Sequence, residues 1–158
     1  MANTQSMATS FMGQLLTGTH NFGASPTRAG ATADSFKAAL YLASATVDAS
    51  TTAYSVTGEV SGAGYTAGGV AVTNASAPTA TNASATAGVG FWTPSASLVY
   101  TTVTLATAFD AVMIYNSTQG NKTVSVHTFG SQTVTAGTFT LTMPTNDTAS
   151  ALLRLATT

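Results

Sequence analysis

Residues 57–72 read TGEVSGAGYTAGGVAV, with five glycines inside twelve positions. That density is typical of a loop that cradles a phosphate. Gly62, Gly64 and Ala67 satisfy the relaxed dinucleotide fingerprint, in which alanine stands for the third glycine. The chemistry also needs a hydrophobic strand before the loop and a helix after it, so that the pyrophosphate meets a helix N-terminus. Here residues 57–61 are a poor strand, and Gly69-Val70-Ala71-Val72-Thr73 reads as a strand rather than a helix. No lysine follows to complete a P-loop. The segment therefore reads as a glycine-rich turn that feeds a strand, with Gly62 and Gly64 expected at positive φ and Tyr65 as its aromatic anchor.

The other residues capable of chemistry are scattered. The carboxylates are Asp34, Asp48, Glu59, Asp110 and Asp147, and the cations are Arg28, Lys37, Lys122 and Arg154. No two carboxylates are spaced as a glycosidase pair, and no metal-ligand spacing occurs. His20 and His127 lie far apart in sequence, and no G-x-S-x-G nucleophile elbow is present. His127 shares a strand face with Ser125 and reads as a surface histidine. Asp110 reads as a strand-end carboxylate that bonds turn amides or a cation. Phe91 and Trp92 are the foremost candidates for an exposed aromatic pair, but core or interface packing explains a lone tryptophan better than a sugar platform does. Asn-x-Ser/Thr sites occur at Asn74, Asn82, Asn116, Asn121 and Asn146, a number expected of any chain this rich in serine and threonine. No catalytic, cofactor-binding or metal-binding residue is assigned, and the chain reads as a non-enzyme.

These side chains must be positioned by β-structure. In residues 138–143 every odd position is apolar and every even one is threonine, the period-two signature of a strand with one buried face. Residues 122–128 alternate too, with Val124 and Val126 assigned to one face. Val99, Thr101, Val103 and Leu105 share a side of another strand, as do Phe36, Ala38, Leu40 and Leu42. Residues 111–115 (AVMIY) are apolar on both faces and belong at the centre of a sheet. NSTQGN at 116–121 predicts a hairpin turn, and FGSQ at 129–132 a second turn. Before this block, residues 6–16 place Phe11, Met12, Leu15 and Leu16 at helical spacing, with Gly18 as terminator. Residues 74–88 form a low-complexity near-repeat that reads as a loop. The expectation is an all-β fold, an antiparallel β-sandwich or jelly-roll-like domain over 35–158, preceded by a helix and arm over 1–34.

Composition narrows the function. The chain has 158 residues and a net charge of −1, with only 6% charged residues, against about 25% in an ordinary soluble domain. There is no basic footprint for nucleic acid and no run of apolar residues for a membrane helix. The first 18 residues lack the basic start and long apolar run of a secretory signal. Cysteine is absent, so disulfides and thiolate metal sites are excluded. Little charge keeps copies apart, which suits a surface covered by other chains.

The run SFKAALYLASATVDASTTAYSVTGEVSGAGYTAGG at 35–69 resembles a recurring family of small structural proteins of tailed bacteriophages. LATAFDAVMIYN at 105–116 and VSVHTFGSQTVTAGTFTLTMP at 124–144 resemble the same family's C-terminal half, and SFMGQLLTGTHNF at 10–22 is similar to its opening helix. The segments at 25–34 and 74–88 depart from the pattern. The resemblance implies a virion component and not an enzyme, and no cofactor is expected. Low charge and β architecture fit a capsid decoration (cement) protein, with the major capsid protein or other virion proteins as partners and a homo-oligomeric state, dimer or trimer. A tail or head-fibre component is the alternative. The N-terminal segment, the 74–88 loop and a free strand edge are the expected contact elements.

Overall fold

A computed structural model describes residues 2–23, 32–81 and 88–157. Arg28, Asn82, and the parts of the 25–34 and 74–88 segments at 25–31 and 82–87 lie outside the described residues. Among the described residues nine elements follow one another: β1 Ser6–Met7, α1 Thr9–Leu16, β2 Phe36–Leu42, β3 Val70–Val72, β4 Thr79–Ala80, β5 Val89–Trp92, β6 Leu98–Asn116, β7 Lys122–Leu141 and β8 Leu153–Ala156. They form two antiparallel sheets, one of five strands ordered β1-β7-β6-β2-β3 and one of three ordered β4-β5-β8. The protein is thus all-β and sandwich-like, with one short N-terminal helix.

The centre is the β6–β7 hairpin, which runs from the Leu98–Leu141 pair to the Asn116–Lys122 pair. Its turn falls on the NSTQGN signal, where Gly120 (φ 67°) and Asn121 (φ 59°) supply the left-handed backbone that reverses the chain. The AVMIY segment sits in the third of five strands, between β7 and β2, and is buried on both faces. Val112 and Ile114 enter the main core, together with Phe36, Ala38 and Leu40 of β2 and with Trp92 and Leu153 of the small sheet. Ala111, Met113 and Tyr115 enter a second core with Ala39, Tyr41 and Val47. Two cores on opposite faces explain why these strands alternate so little.

The FGSQ signal is not a turn. Phe109 pairs with Gln132 and Ala111 with Thr128, so three β7 residues oppose Asp110 alone. The polar and glycine residues mark a bulge inside one long strand, and Phe129 packs edge-on against Phe109 at 6.0 Å. Further bulges reset the facing of both strands. Tyr100 pairs with Phe139 and Val103 with Gly137, which leaves Thr102 at φ 52°. Leu98 and Tyr100 therefore point inward, as Val103 and Leu105 do, while Val99 and Thr101 face solvent. Near the turn, Tyr115 pairs with Thr123 and Ile114 with Ser125, so Val124 is an extra residue. Val124 joins the main core and Val126 the second, on opposite faces rather than one.

Residues 138–143 keep the predicted alternation, with Phe139, Leu141 and Met143 packed on the main core. The helix holds all four apolar residues but is shorter than the expected 6–16 span, because Ser6 and Met7 pair with Val126 and Ser125 instead. It ends as expected. Gly18 adopts φ 66°, its N–H donates to Leu15 O, and Thr19 N–H donates to Gln14 O, the double closure of a Schellman motif. Ala8, Phe11 and Phe22 of the N-terminal segment lie in the same core as the strands.

Candidate functional site

The glycine-rich segment packs its backbone directly against two strands. Glu59 bridges Tyr41 of β2, and Ala63 bridges Thr104 of β6. Gly64 has φ 77°, and a Cβ there would stand 2.2 Å from Thr102 O. Gly69 has φ 71°, and its Cβ would meet Ala38 O at 1.7 Å. Gly62 is not at positive φ, contrary to expectation; it is glycine because a Cβ would lie 2.0 Å from Thr104 O. The chain then enters β3, so a strand and not a helix follows the loop. The glycines serve close backbone approach, not phosphate binding.

What the loop encloses is a carboxylate. Glu59 is buried, and three donors surround it. Tyr54 Oη donates to Oε2 at 2.6 Å, while Tyr65 Oη at 2.7 Å and Gly68 N–H at 2.8 Å donate to Oε1. Tyr65 Oη in turn accepts Leu40 N–H, and Tyr115 Oη donates to Gly68 O. Tyr54 stacks on Tyr115 at 4.6 Å. Burial pushes the Tyr41 and Tyr115 hydroxyls up to about 12, and those of Tyr54, Tyr65 and Tyr100 further in the same direction. These phenols stay protonated and donate at any physiological pH. A carboxylate held by three donors is a fastener for the 57–69 loop, stabilised by charge-assisted hydrogen bonds. The sequence offered one signal for it, a lone acid flanked by Tyr54 and Tyr65.

A second polar cluster was not foreseen. His20, Asp34 and Asn116 are remote in sequence and all buried. Asn116 Nδ2 donates to Asp34 Oδ2 at 2.7 Å and contacts His20 Nδ1 at 3.0 Å. Gln119 Nε2 and Asn21 N–H also donate to Asp34. With Nδ1 accepting from the amide, His20 Nε2–H donates to Gln14 Oε1 at 2.7 Å. Desolvation lowers the His20 pKa to about 4, against the opposing pull of Asp34. The ring packs against Phe11 at 4.9 Å. The cluster ties the end of α1 to the hairpin turn, and the hydrogen bonds of its imidazole go to amide side chains rather than to a nucleophile.

The remaining candidates are structural too. Asp110 is not at a strand end; it sits within β6 opposite the bulge and accepts from Asn3 Nδ2 at 2.6 Å. Asn3 Nδ2 also donates to Leu42 O, and Asn3 Oδ1 accepts Val47 N–H. His127 is half-buried rather than a surface residue. Its Nε2 lies 2.9 Å from Ser125 Oγ, and burial lowers its pKa to about 4. Ser125 is only 1% exposed, too enclosed to attack a substrate. Trp92 is core, against Phe22 at 4.9 Å, and its Nε1–H donates to Asn74 Oδ1. Asn116, wholly buried, has no room for a glycan. Among the described residues no three His, Cys, Asp or Glu side chains are grouped to hold a metal ion. No helix among them is long and apolar enough to cross a membrane.

The exposed feature that stands apart is apolar. Between α1 and the small sheet runs an open groove of about 270 Å³ walled by Phe11, Leu15, Phe91, Trp92, Leu153 and Leu155. Beside it, Met12 is 51% and Leu16 92% exposed on the outer face of the helix. The helical spacing of these residues carries two apolar rows, Phe11 and Leu15 turned to the groove and Met12 and Leu16 to solvent.

Comparison with protein-family models, with curated proteins and with solved structures found no match for this chain.

Proposed function

We propose that this chain is a structural virion protein of a tailed bacteriophage, a capsid decoration protein that stabilises the head by contacts with the major capsid protein and with copies of itself. The observation that carries the reading is how the molecule uses its polar chemistry. Glu59, Asp34, Asp110 and His20 each hold one segment of the chain to another, whereas leucine and methionine are offered to solvent at α1. That is the economy of a protein whose work is adhesion. The resemblance of residues 10–22, 35–69, 105–116 and 124–144 to phage structural proteins supports the virion setting. Many weak contacts repeated over a closed shell add up by multivalency.

A stained gel of purified particles tests this. A band comparable in copy number to the major capsid protein is expected, with heads that burst more easily when the protein is omitted. A trace band, together with intact heads that fail to adsorb, would instead assign it to the tail or a head fibre, where Phe91 and the adjoining groove would face a partner. Absence from finished particles, or turnover of a substrate by the purified chain, overturns the virion reading.

A further inference from the structure

We infer that His20 is the trigger of an acid-sensitive clasp, in which a proton on its Nδ1 releases the His20–Asn21 segment from the hairpin turn while the β6–β7 ladder stays paired. The device depends on the chain's own hydrogen bonds and not on where the protein resides.

Three buried side chains fix one another's donors and acceptors. A carboxylate only accepts, so the Asn116 atom 2.7 Å from Asp34 Oδ2 is the amide nitrogen. The Asn116 oxygen is fixed from the other side, because it takes the N–H groups of Thr118 and Gln119, both at 3.1 Å. The second hydrogen of the amide is left for His20 Nδ1 at 3.0 Å, so Nδ1 is unprotonated. The other ring nitrogen holds the hydrogen and donates it to Gln14 Oε1.

A proton on Nδ1 sets donor against donor in a buried site, where an unmet polar group is costly. Asn116 cannot relieve this by turning over, since its oxygen would meet Asp34 and its nitrogen the two turn amides. Nor can it move away. It is wholly buried, and its backbone pairs with Phe36 on one side and Lys122 on the other. His20 lies outside any strand or helix, and its other hydrogen bond goes to the long side chain of Gln14. The ring therefore yields. The next bonds to open are Asn21 N–H to Asp34 Oδ2 and Asp34 N–H to Asn21 O. Phe22, stacked on Phe36 at 4.4 Å, keeps its place in the core and confines the opening.

Two charged groups bear on the ring, Asp34 and Lys122. Asp34 attracts an imidazolium, but its Oδ2 already accepts from Asn116 and Asn21 and its Oδ1 from Gln119. Lys122 opposes the proton. β1 and α1 carry no charge, and the rings beside the imidazole are Phe11 and Phe22. Burial, outweighing Asp34, holds the clasped ring at about 4, and a released ring titrates near about 6.5. The clasp is therefore complete above the upper value and is lost as pH falls toward the lower one.

Native-state hydrogen exchange on the whole chain tests this. The opening constants of the Asn21 and Asp34 amides should rise roughly fiftyfold between about pH 7 and about pH 4.5, with little dependence on dilute urea because little surface is exposed. The Thr118 and Gln119 amides and the β6–β7 ladder should open only with the urea dependence of global unfolding. His20→Gln should abolish the pH response at Asn21 and Asp34, and His127→Gln should leave it. Ring nitrogen shifts of the wild-type chain at about pH 7, which need no variant, should show the hydrogen on Nε2. A hydrogen on Nδ1 would overturn the proposal. So would acid opening of Thr118 and Gln119 ahead of Asn21 and Asp34, a response that survives His20→Gln, or Asn21 and Asp34 amides that open only with the whole ladder.

Discussion

Single residues in this protein are decided by backbone proximity and by buried polar pairing. At Gly64 both constraints on a side chain coincide, a left-handed φ and a carbonyl oxygen 2.2 Å from where Cβ would be. Gly64→Val is therefore expected to cost about 2 kcal/mol or more and to lower the melting temperature by roughly 5 °C, with no change in any nucleotide-binding assay. A normal melt would show that the loop is not seated on β6. The histidines make a second prediction. Burial holds both near 4 in the folded chain, while the unfolded chain titrates near about 6.5. Between those values the unfolded state binds more protons, so stability is complete above the upper value and is lost as pH falls toward the lower one. The urea midpoint should drop between about pH 7 and about pH 4.5, and the His20→Gln, His127→Gln double variant should flatten that slope. Equal slopes in both proteins would remove the histidines from the account.

At the scale of elements, the sequence revealed what is periodic and hid what is irregular. The 138–143 alternation, the doubly apolar AVMIY strand and the NSTQGN turn were legible because each depends on neighbours in sequence. The bulges were not. Glycine and serine at 130–131 look the same whether the chain reverses or only steps out of register, and the choice is made by β6 across the ladder. The facing of Val99 was lost for the same reason, since one extra residue at Thr102 inverts everything before it. The Glu59 and His20 clusters were illegible because their members come from segments brought together only by the fold. Helix α1 offers a test of local physics against tertiary packing. Gly13 lies inside it, and a Cβ there would meet nothing within 4 Å. Gly13→Ala should raise stability by about 0.5–1 kcal/mol, read as a higher urea midpoint. Destabilisation instead would mean that α1 gains more from freedom at this position than from helix propensity.

For the whole molecule, the small number of charges becomes a prediction about how it binds. Four cations and five carboxylates serve 158 residues, and Glu59, Asp34 and Asp110 are committed to internal hydrogen bonds. The surface left for partners has little with which to build ion pairs, and α1, with Met12 and Leu16 exposed, carries no charge. Adhesion by such a surface draws on apolar burial, which salt does not screen, whereas contacts between exposed charges fade as the Debye length shrinks from about 14 Å to about 4 Å between about 0.05 M and about 0.5 M NaCl. The two proposed contacts, with copies of itself and with a capsid shell, should therefore change less than about twofold over that range, and should strengthen in sulfate because excluded salts favour burial. Sedimentation at both salt concentrations, together with re-binding to stripped particles, measures the two contacts separately. A tenfold loss at high salt in either would place charged groups in that contact.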